Sequence, residues 1–100
     1  MRCNTVNNNR AVISLGGRFD FSAFRPFREL YEPLLAKSEI EVIELNFSTV
    51  EYLDSAALGM LLLLREKAEK AGKKVLLRGC KGAVLSLFEV ANFGRLFDMS

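Results

Sequence analysis

Residues 43–64 read Ile43-Glu44-Leu45-Asn46-Phe47-Ser48-Thr49-Val50-Glu51-Tyr52-Leu53-Asp54-Ser55-Ala56-Ala57-Leu58-Gly59-Met60-Leu61-Leu62-Leu63-Leu64, and the rest of the chain is organised around them. Leading into this stretch, Ile40 to Phe47 carries Ile40 and Val42 on one face and Ile43, Leu45 and Phe47 on the other. Apolar residues on both faces predict a strand inside a sheet rather than at its edge. Beyond the polar pair Asp54 and Ser55 the pattern becomes helical. At roughly 100° per residue Ala57, Leu61, Leu64, Ala68 and Ala71 fall on one stripe, extended by Leu58, and that stripe faces a core. Asp54 is therefore read as an N-cap: its carboxylate accepts from free N–H groups of the first turn and offsets the positive end of the helix dipole. Ser55 takes the first helical position.

On the other side of this helix lie Glu66, Glu69 and Lys70, but Leu62 and Leu63 project into the same polar arc, with Met60 at its edge. Two readings of these side chains stand side by side. They form a partner surface, or a curved sheet and neighbouring segments cover them, since isolated exposed apolar residues are ordinary.

Upstream, Met1 to Val6 predicts a short strand and Ala11 to Leu15 a second, joined through Asn7, Asn8 and Asn9, which tolerate left-handed turn conformations. Gly16 and Gly17 are expected to stop the second strand, and Ser22 to act as the cap before the first helix. A helix from about Ser22 or Pro26 to Lys37 places Phe27, Leu30, Tyr31, Leu34 and Leu35 on one face. Pro33 predicts a bend or early break in it. Phe19, Phe21 and Phe24 are expected in the core, because a base-stacking platform needs a cationic groove that the sequence does not supply. Downstream, Gly72 ends the long helix, Lys74 to Arg78 forms a strand, and Gly79 to Gly82 a turn. A last helix from about Ala83 to Asn92 turns Val84, Leu87, Phe88 and Ala91 inward, with Leu96 and Phe97 returning to the core. The order β-β-α-β-α-β-α predicts an α/β fold, a mixed four- to five-stranded β-sheet with packed α-helices, as one domain over residues 1–100.

Composition narrows the function. The chain has 100 residues, half of them hydrophobic, and a formal net charge of +2, too little to predict a nucleic-acid partner. It has no histidine, which removes histidine-based catalysis, phosphohistidine chemistry and the commonest metal ligand, so no metal or cofactor is expected. Cys3 and Cys80 lie far apart without a CxxC pattern, as reduced thiols of a cytoplasmic protein do. The apolar run Ala56 to Leu64 is halted by Arg65, well short of the ~20 residues of a membrane span, so no membrane insertion is expected. Asp54, Ser55, Arg18 and Asp20 could be imagined as a small hydrolytic site, but nothing activates Ser55, and an aspartate at a helix start is ordinarily a cap; the reading is non-enzymatic.

The stretch Ile43 to Gly59 resembles the signature of STAS domains, the fold of bacterial anti-sigma-factor antagonists, in which a hydrophobic strand is followed by Asp-Ser-Ser-Gly-Leu-Gly opening a helix. Gly17 to Asp20 is similar to the family's Gly-x-x-Asp, and Ala91-Asn-Phe-Gly-Arg-Leu-Phe97 to its C-terminal segment. The resemblance implies a switch protein that binds a kinase-type anti-sigma factor or related regulator through the corner, is released by phosphorylation of a motif serine, and is restored by a phosphatase. It carries over to Asp54, Ser55, Leu58 and Gly59. It does not carry over to the acceptor, because Ala56 stands at the usual phosphoserine position and Ala57 where glycine is common. The expected partner-binding set is therefore Asp54, Ser55, Ala56, Ala57, Leu58, Gly59, Met60, Leu62 and Leu63, with Ser55 the substitute acceptor. A form with Ala56 is expected to be permanently binding-competent. The alternative within the same fold is an accessory subunit of a membrane transport complex, docking on its ATPase.

Overall fold

A computed structural model describes residues 1–7 and 9–99. Five strands, β1 (Arg2–Val6), β2 (Arg10–Phe19), β3 (Val42–Leu53), β4 (Lys74–Arg78) and β5 (Asp98–Met99), form one sheet in the order β1-β2-β3-β4-β5. β1 runs antiparallel to β2 and every other pair is parallel. The helices α1 (Phe24–Ala36), α2 (Ser55–Lys70) and α3 (Gly82–Val90) contribute their buried residues to a single cluster with Ala11, Ile13, Leu15, Ile43, Leu45, Phe47, Val75 and Leu77. Those strand positions all point to one face. The molecule is thus two-layered, with helices on one side of the sheet. β3 is central, as its two apolar faces predicted. Five strands fall within the expected four to five, but the short β5 was not located from sequence, since two residues carry too little pattern to read.

β2 does not stop at the glycines. It continues to Phe19 through register shifts between Ser14 and Gly16 and between Gly17 and Arg18, with Gly17 at φ +55°. Glycine is what such bulges use, since an unpaired or left-handed residue costs it little. Beyond the last β3–β4 pair, Asn46 with Arg78, β2 and β3 run on together as a two-stranded ribbon from Gly16–Thr49 to Phe19–Leu53. The Thr49 hydroxyl donates to the Leu15 carbonyl at 2.9 Å. In β3 the buried positions change from every second residue (43, 45, 47) to every third (47, 50, 53) along the ribbon. The ribbon carries the chain to Asp54.

Pro33 neither breaks α1 nor ends it: the helix reaches Ala36. Proline inside a helix costs about 3 kcal/mol, and burying Phe27 and Leu34, at about 1.5–3 kcal/mol each, offsets it. The end of α1 is also tied down by the buried Lys73 ammonium, which donates to the carbonyls of Lys37 at 2.6 Å and Ile40 at 2.5 Å. In the turn after β1, Asn7 is left-handed at φ +57°, as the asparagine run predicted; Asn8 lies outside the described residues. Asp20, not Ser22, caps the turn before α1, accepting from the Ser22 backbone N–H and hydroxyl at 3.1 and 2.6 Å.

The core is threaded by aromatic rings. Tyr31 meets Phe27, Phe27 meets Phe19, Phe19 meets Phe47 and Phe47 meets Phe88, each edge to face with centroids 5.1–6.1 Å apart. Phe88 then stacks on Phe93, which leans on Phe97. Several expected core positions are instead on the surface. Phe21 is 75% exposed and Phe24 42%: Phe21 lies in the turn before α1 and Phe24 is the first residue of α1, so both sit ahead of the buried positions Phe27, Tyr31 and Leu34. Ala71 is exposed as the C-cap of α2. Leu96 stays outside while Phe97 fills the place beside Phe93.

Gly79 closes the turn after β4 at φ +72°, and a Cβ there would lie 2.9 Å from the Ser48 backbone nitrogen. Gly79→Ala is therefore expected to destabilise the fold by about 1–3 kcal/mol, read as a lower urea midpoint, whereas Gly94→Ala, where the space is open, moves it little.

Candidate functional site

The corner where the ribbon meets α2 is built by Asp54. Its backbone is extended (φ −118°, ψ −178°), and its Oδ1 accepts from the Ala57 N–H at 2.9 Å. The Asp54 carbonyl accepts the Ala57 and Leu58 N–H groups at 3.1 and 3.4 Å. The carboxylate is thus engaged as a cap. Asp54→Ala is expected to cost about 1 kcal/mol, a fall in Tm of about 4–8 °C for a chain of this size.

The structure sorts the sequence-derived partner set. Ser55, Ala56, Gly59 and Leu62 are exposed, while Asp54, Leu58 and Leu63 are half-buried. Ala57 is fully buried in the core and leaves the set: it sits on the stripe with Leu61 and Leu64. Met60, only 6% exposed, is covered as well. Its place is the floor of a shallow apolar groove of about 230 Å³, lined also by Phe21, Phe24, Ala56, Gly59 and Leu63. The groove lies between α2 and the segment that opens α1, and the Ala56 methyl forms part of its wall.

Phe21 and Phe24 were missed as surface residues. One signal was available, the Asp20-Phe21-Ser22 cap, which turns the chain outward just where the aromatic alternation suggested burial. Beside them the ribbon pairs Arg18 with Tyr52. The Arg18 guanidinium lies 4.2 Å from the Tyr52 ring centroid and donates Nε to Asp20 Oδ2 at 3.2 Å. The Ser22 hydroxyl foremost, with Arg18 adding to it, holds the Asp20 carboxyl below its ordinary pKa. So Arg18, Phe19 and Asp20 divide: Arg18 and Asp20 form a charged rim, and Phe19 is core.

A larger hollow, about 610 Å³, lies at the other end of α2 among Arg65, Glu69, Lys74 and Asp98. Its charges are largely spent on one another, through Arg65–Glu69 at 2.9 Å and Lys74–Asp98 at 2.8 Å. Among the described residues, no group of three or more carboxylates and cysteines could hold a metal ion, and no helix is long and apolar enough to cross a membrane.

Both cysteines are free and half-buried. Burial pushes the Cys80 thiol from 9.0 up to about 11. The native state therefore holds this proton more tightly than the unfolded chain does. That contribution to stability is intact below pH 9 and is lost as pH rises from 9 towards 11. Urea unfolding across that window is expected to show falling stability, with a shallower fall for Cys80→Ala.

A mixed five-stranded sheet with its helices on one face, and an aspartate-capped helix leaving the central strand, define this as a STAS-fold protein. Residues 5–98 match the family described as Mlab, STAS domain, and the chain belongs to that family. A STAS-domain containing protein of Pseudomonas aeruginosa (strain UCBPP-PA14) is 38% identical over 96 residues, 96% of this chain and 93% of the relative. The fold matches the unphosphorylated anti-sigma factor antagonist SpoIIAA with a TM-score of 0.79 at 21% identity, covering 99% of this chain and 86% of that one. It also matches the STAS domain of a SulP transporter from Vibrio cholerae, with a TM-score of 0.71 at 22% identity, covering 93% and 70%.

Proposed function

We propose that this protein is a non-catalytic docking module that captures a regulatory protein, of the kinase-type anti-sigma-factor class, through the corner at Asp54 and the apolar groove beside it. The observation that carries the reading is the groove of Phe21, Phe24, Gly59, Met60 and Leu63 with Ala56 in its wall. Exposed aromatic side chains next to a charged rim are what interface anchors look like. A phosphate at position 56 would place a hydrated dianion against Phe21 and Phe24, so a serine there would act as a release switch. Alanine cannot be charged, and the module stays binding-competent. The phosphatase that resets such a switch then has no substrate, unless Ser55, exposed one residue earlier, is used in place of position 56.

The fold likeness to a transporter's STAS domain supports a second reading, an accessory subunit on a transport ATPase, in which a missing phosphoacceptor is natural. Paired pull-downs with the native chain and Ala56→Ser, each with ATP and phosphosite mass spectrometry, separate the two. Phosphorylation of the serine variant with loss of a soluble kinase-like partner that the native chain retains supports the switch. The same membrane ATPase on both forms, with neither modified, replaces it with the second reading.

A further inference from the structure

We infer that the free edge of β1 pairs with the same edge of a second copy of this chain, antiparallel and about a two-fold axis at Asn4, joining the two sheets into one. The sheet order leaves two outer strands, β1 and β5. β5 is two residues long, too short to template another strand. β1 runs for five and pairs with β2 from Arg2–Ser14 to Val6–Arg10 without a register shift. Among the described residues nothing hydrogen-bonds to its outer backbone. Sheet edges are ordinarily guarded by a proline, a bulge or an inward-pointing charge. β1 has none of these. Its side chains on the helix side of the sheet, Cys3 and Thr5, in register with the buried Ile13 and Ala11, are uncharged, and its one charge, Arg2, stands at its end.

The strand is complementary to itself. The antiparallel register that pairs all of its residues sets Asn4 opposite Asn4, Cys3 opposite Thr5 and Arg2 opposite Val6, so no like charges face each other. Opposed residues then differ by an even number, which keeps the helix layers of both copies on one side of the joined sheet. The exposed Val6 is covered by the aliphatic stem of the second copy's Arg2. A foreign strand would find on this edge only one charge to recognise.

The flank of α1 above this edge fits the same arrangement. α1 buries Phe27, Tyr31 and Leu34 and meets α2 along Phe24, which shares the groove with Ala56 and Leu63, and Tyr31, whose ring centroid lies 5.9 Å from the Lys67 ammonium. At about 100° per residue, the flank turned away from α2 carries Pro26, Leu30, Pro33 and, at the cap, Lys37. Both prolines are exposed and Leu30 is half-buried. Lys37 ties this flank to β1: burial raises the Cys3 thiol pKa, and the nearby Lys37 ammonium acts against the rise. α1 and β1 both run antiparallel to β2, so the two-fold axis makes the α1 helices of the two copies antiparallel neighbours, with Pro26, Leu30 and Pro33 of each along the seam. α2 lies beyond α1, and its corner and groove stay outside the interface.

The test is sedimentation equilibrium of the full chain in reducing buffer, from micromolar to millimolar concentration, where a monomer–dimer equilibrium is expected. Val6→Glu sets a carboxylate opposite the second copy's Arg2 on both sides of the axis and is expected to tighten the dimer about fivefold. Arg2→Glu/Val6→Glu opposes like charges at the same places and is expected to weaken it about tenfold relative to the native chain. Positions 2 and 6 are about 13 Å apart along one strand, so no contact within a chain produces this reversal. Register is read by oxidation on a Cys3→Ala/Cys80→Ala background. Asn4→Cys is expected to give a disulfide-linked dimer, and Arg2→Cys is not, because its counterpart lies four residues out of register, beyond the reach of about 7 Å between Cα atoms that a disulfide allows. Positions 2, 4 and 6 are exposed, and circular dichroism checks that each variant keeps its fold. A monomer at millimolar concentration, a dimer indifferent to the charges at positions 2 and 6, or equal cross-linking from positions 2 and 4 would overturn the inference. A corner that captures no partner leaves this result readable, because the strand edge is separate from it.

Discussion

Phe47→Ala is expected to lower unfolding stability by about 3–5 kcal/mol, a third or more of the ~5–15 kcal/mol that a domain commonly has. Phe47 is the ring that joins two halves of the core. It packs edge to face on Phe19, whose own neighbour Phe27 belongs to α1, and on Phe88 of α3. It also occupies the last core position of β3 before the ribbon begins, where the spacing of buried residues changes from two to three. Removing the ring leaves a cavity between α1 and α3 that no neighbouring side chain is free to fill, since Phe19, Phe27 and Phe88 are each fully buried and fixed by further contacts. Urea denaturation with the native chain as reference measures the loss. Phe21→Ala is the control, because that ring is 75% exposed and its removal is expected to change stability by less than about 0.5 kcal/mol.

Ala56→Glu is expected to leave the fold intact and to weaken partner binding by about 100-fold or more, a ΔΔG of about 2.7 kcal/mol. Position 56 is exposed in the first turn of α2, where an acidic side chain interacts favourably with the helix dipole. Stability is therefore unchanged or slightly raised. Binding fails for a different reason: the charge lies in the wall of the groove formed with Phe21, Phe24, Met60 and Leu63. An apolar partner surface closing over it would strand a desolvated carboxylate. Isothermal titration of the captured partner against Ala56→Glu and Ala56→Gln separates charge from bulk. Glutamine is expected to lose far less, and native affinity for the glutamate variant would remove the groove from the interface.

These two results fall on different sides of what the sequence makes legible. The core of β3 and α2 was readable because their periods are long and regular: Ile43, Leu45 and Phe47 at spacing two, and Ala57, Leu61, Leu64 and Ala68 at helical spacing, are all buried. The Asp54 cap was readable for a similar reason, since it links residues only three positions apart and depends on local backbone geometry. The groove was not. Whether Phe21 and Phe24 face inward depends on how the turn capped by Asp20 meets α2, a contact between segments more than thirty residues apart. Met60 shows the same dependence: its place on the helix put it at the edge of a surface, and only the approach of the α1 segment made it a floor.

Local pattern by itself determined the central strand, the helix after it, the capped corner between them, and the absence of a hydroxyl at position 56. Hydrogen bonding and hydrophobic periodicity act over a few residues, so a single chain displays them without reference to its neighbours. Tertiary structure alone decided that β2 passes through Gly16 and Gly17, that α1 survives Pro33, that Ala57 is core while Phe21 is surface, and that one face of the sheet stays open. Each of these is set by what lies across a gap in space, where burial and pairing outweigh the cost of a strained or proline-interrupted backbone, and such contacts have no period along the chain.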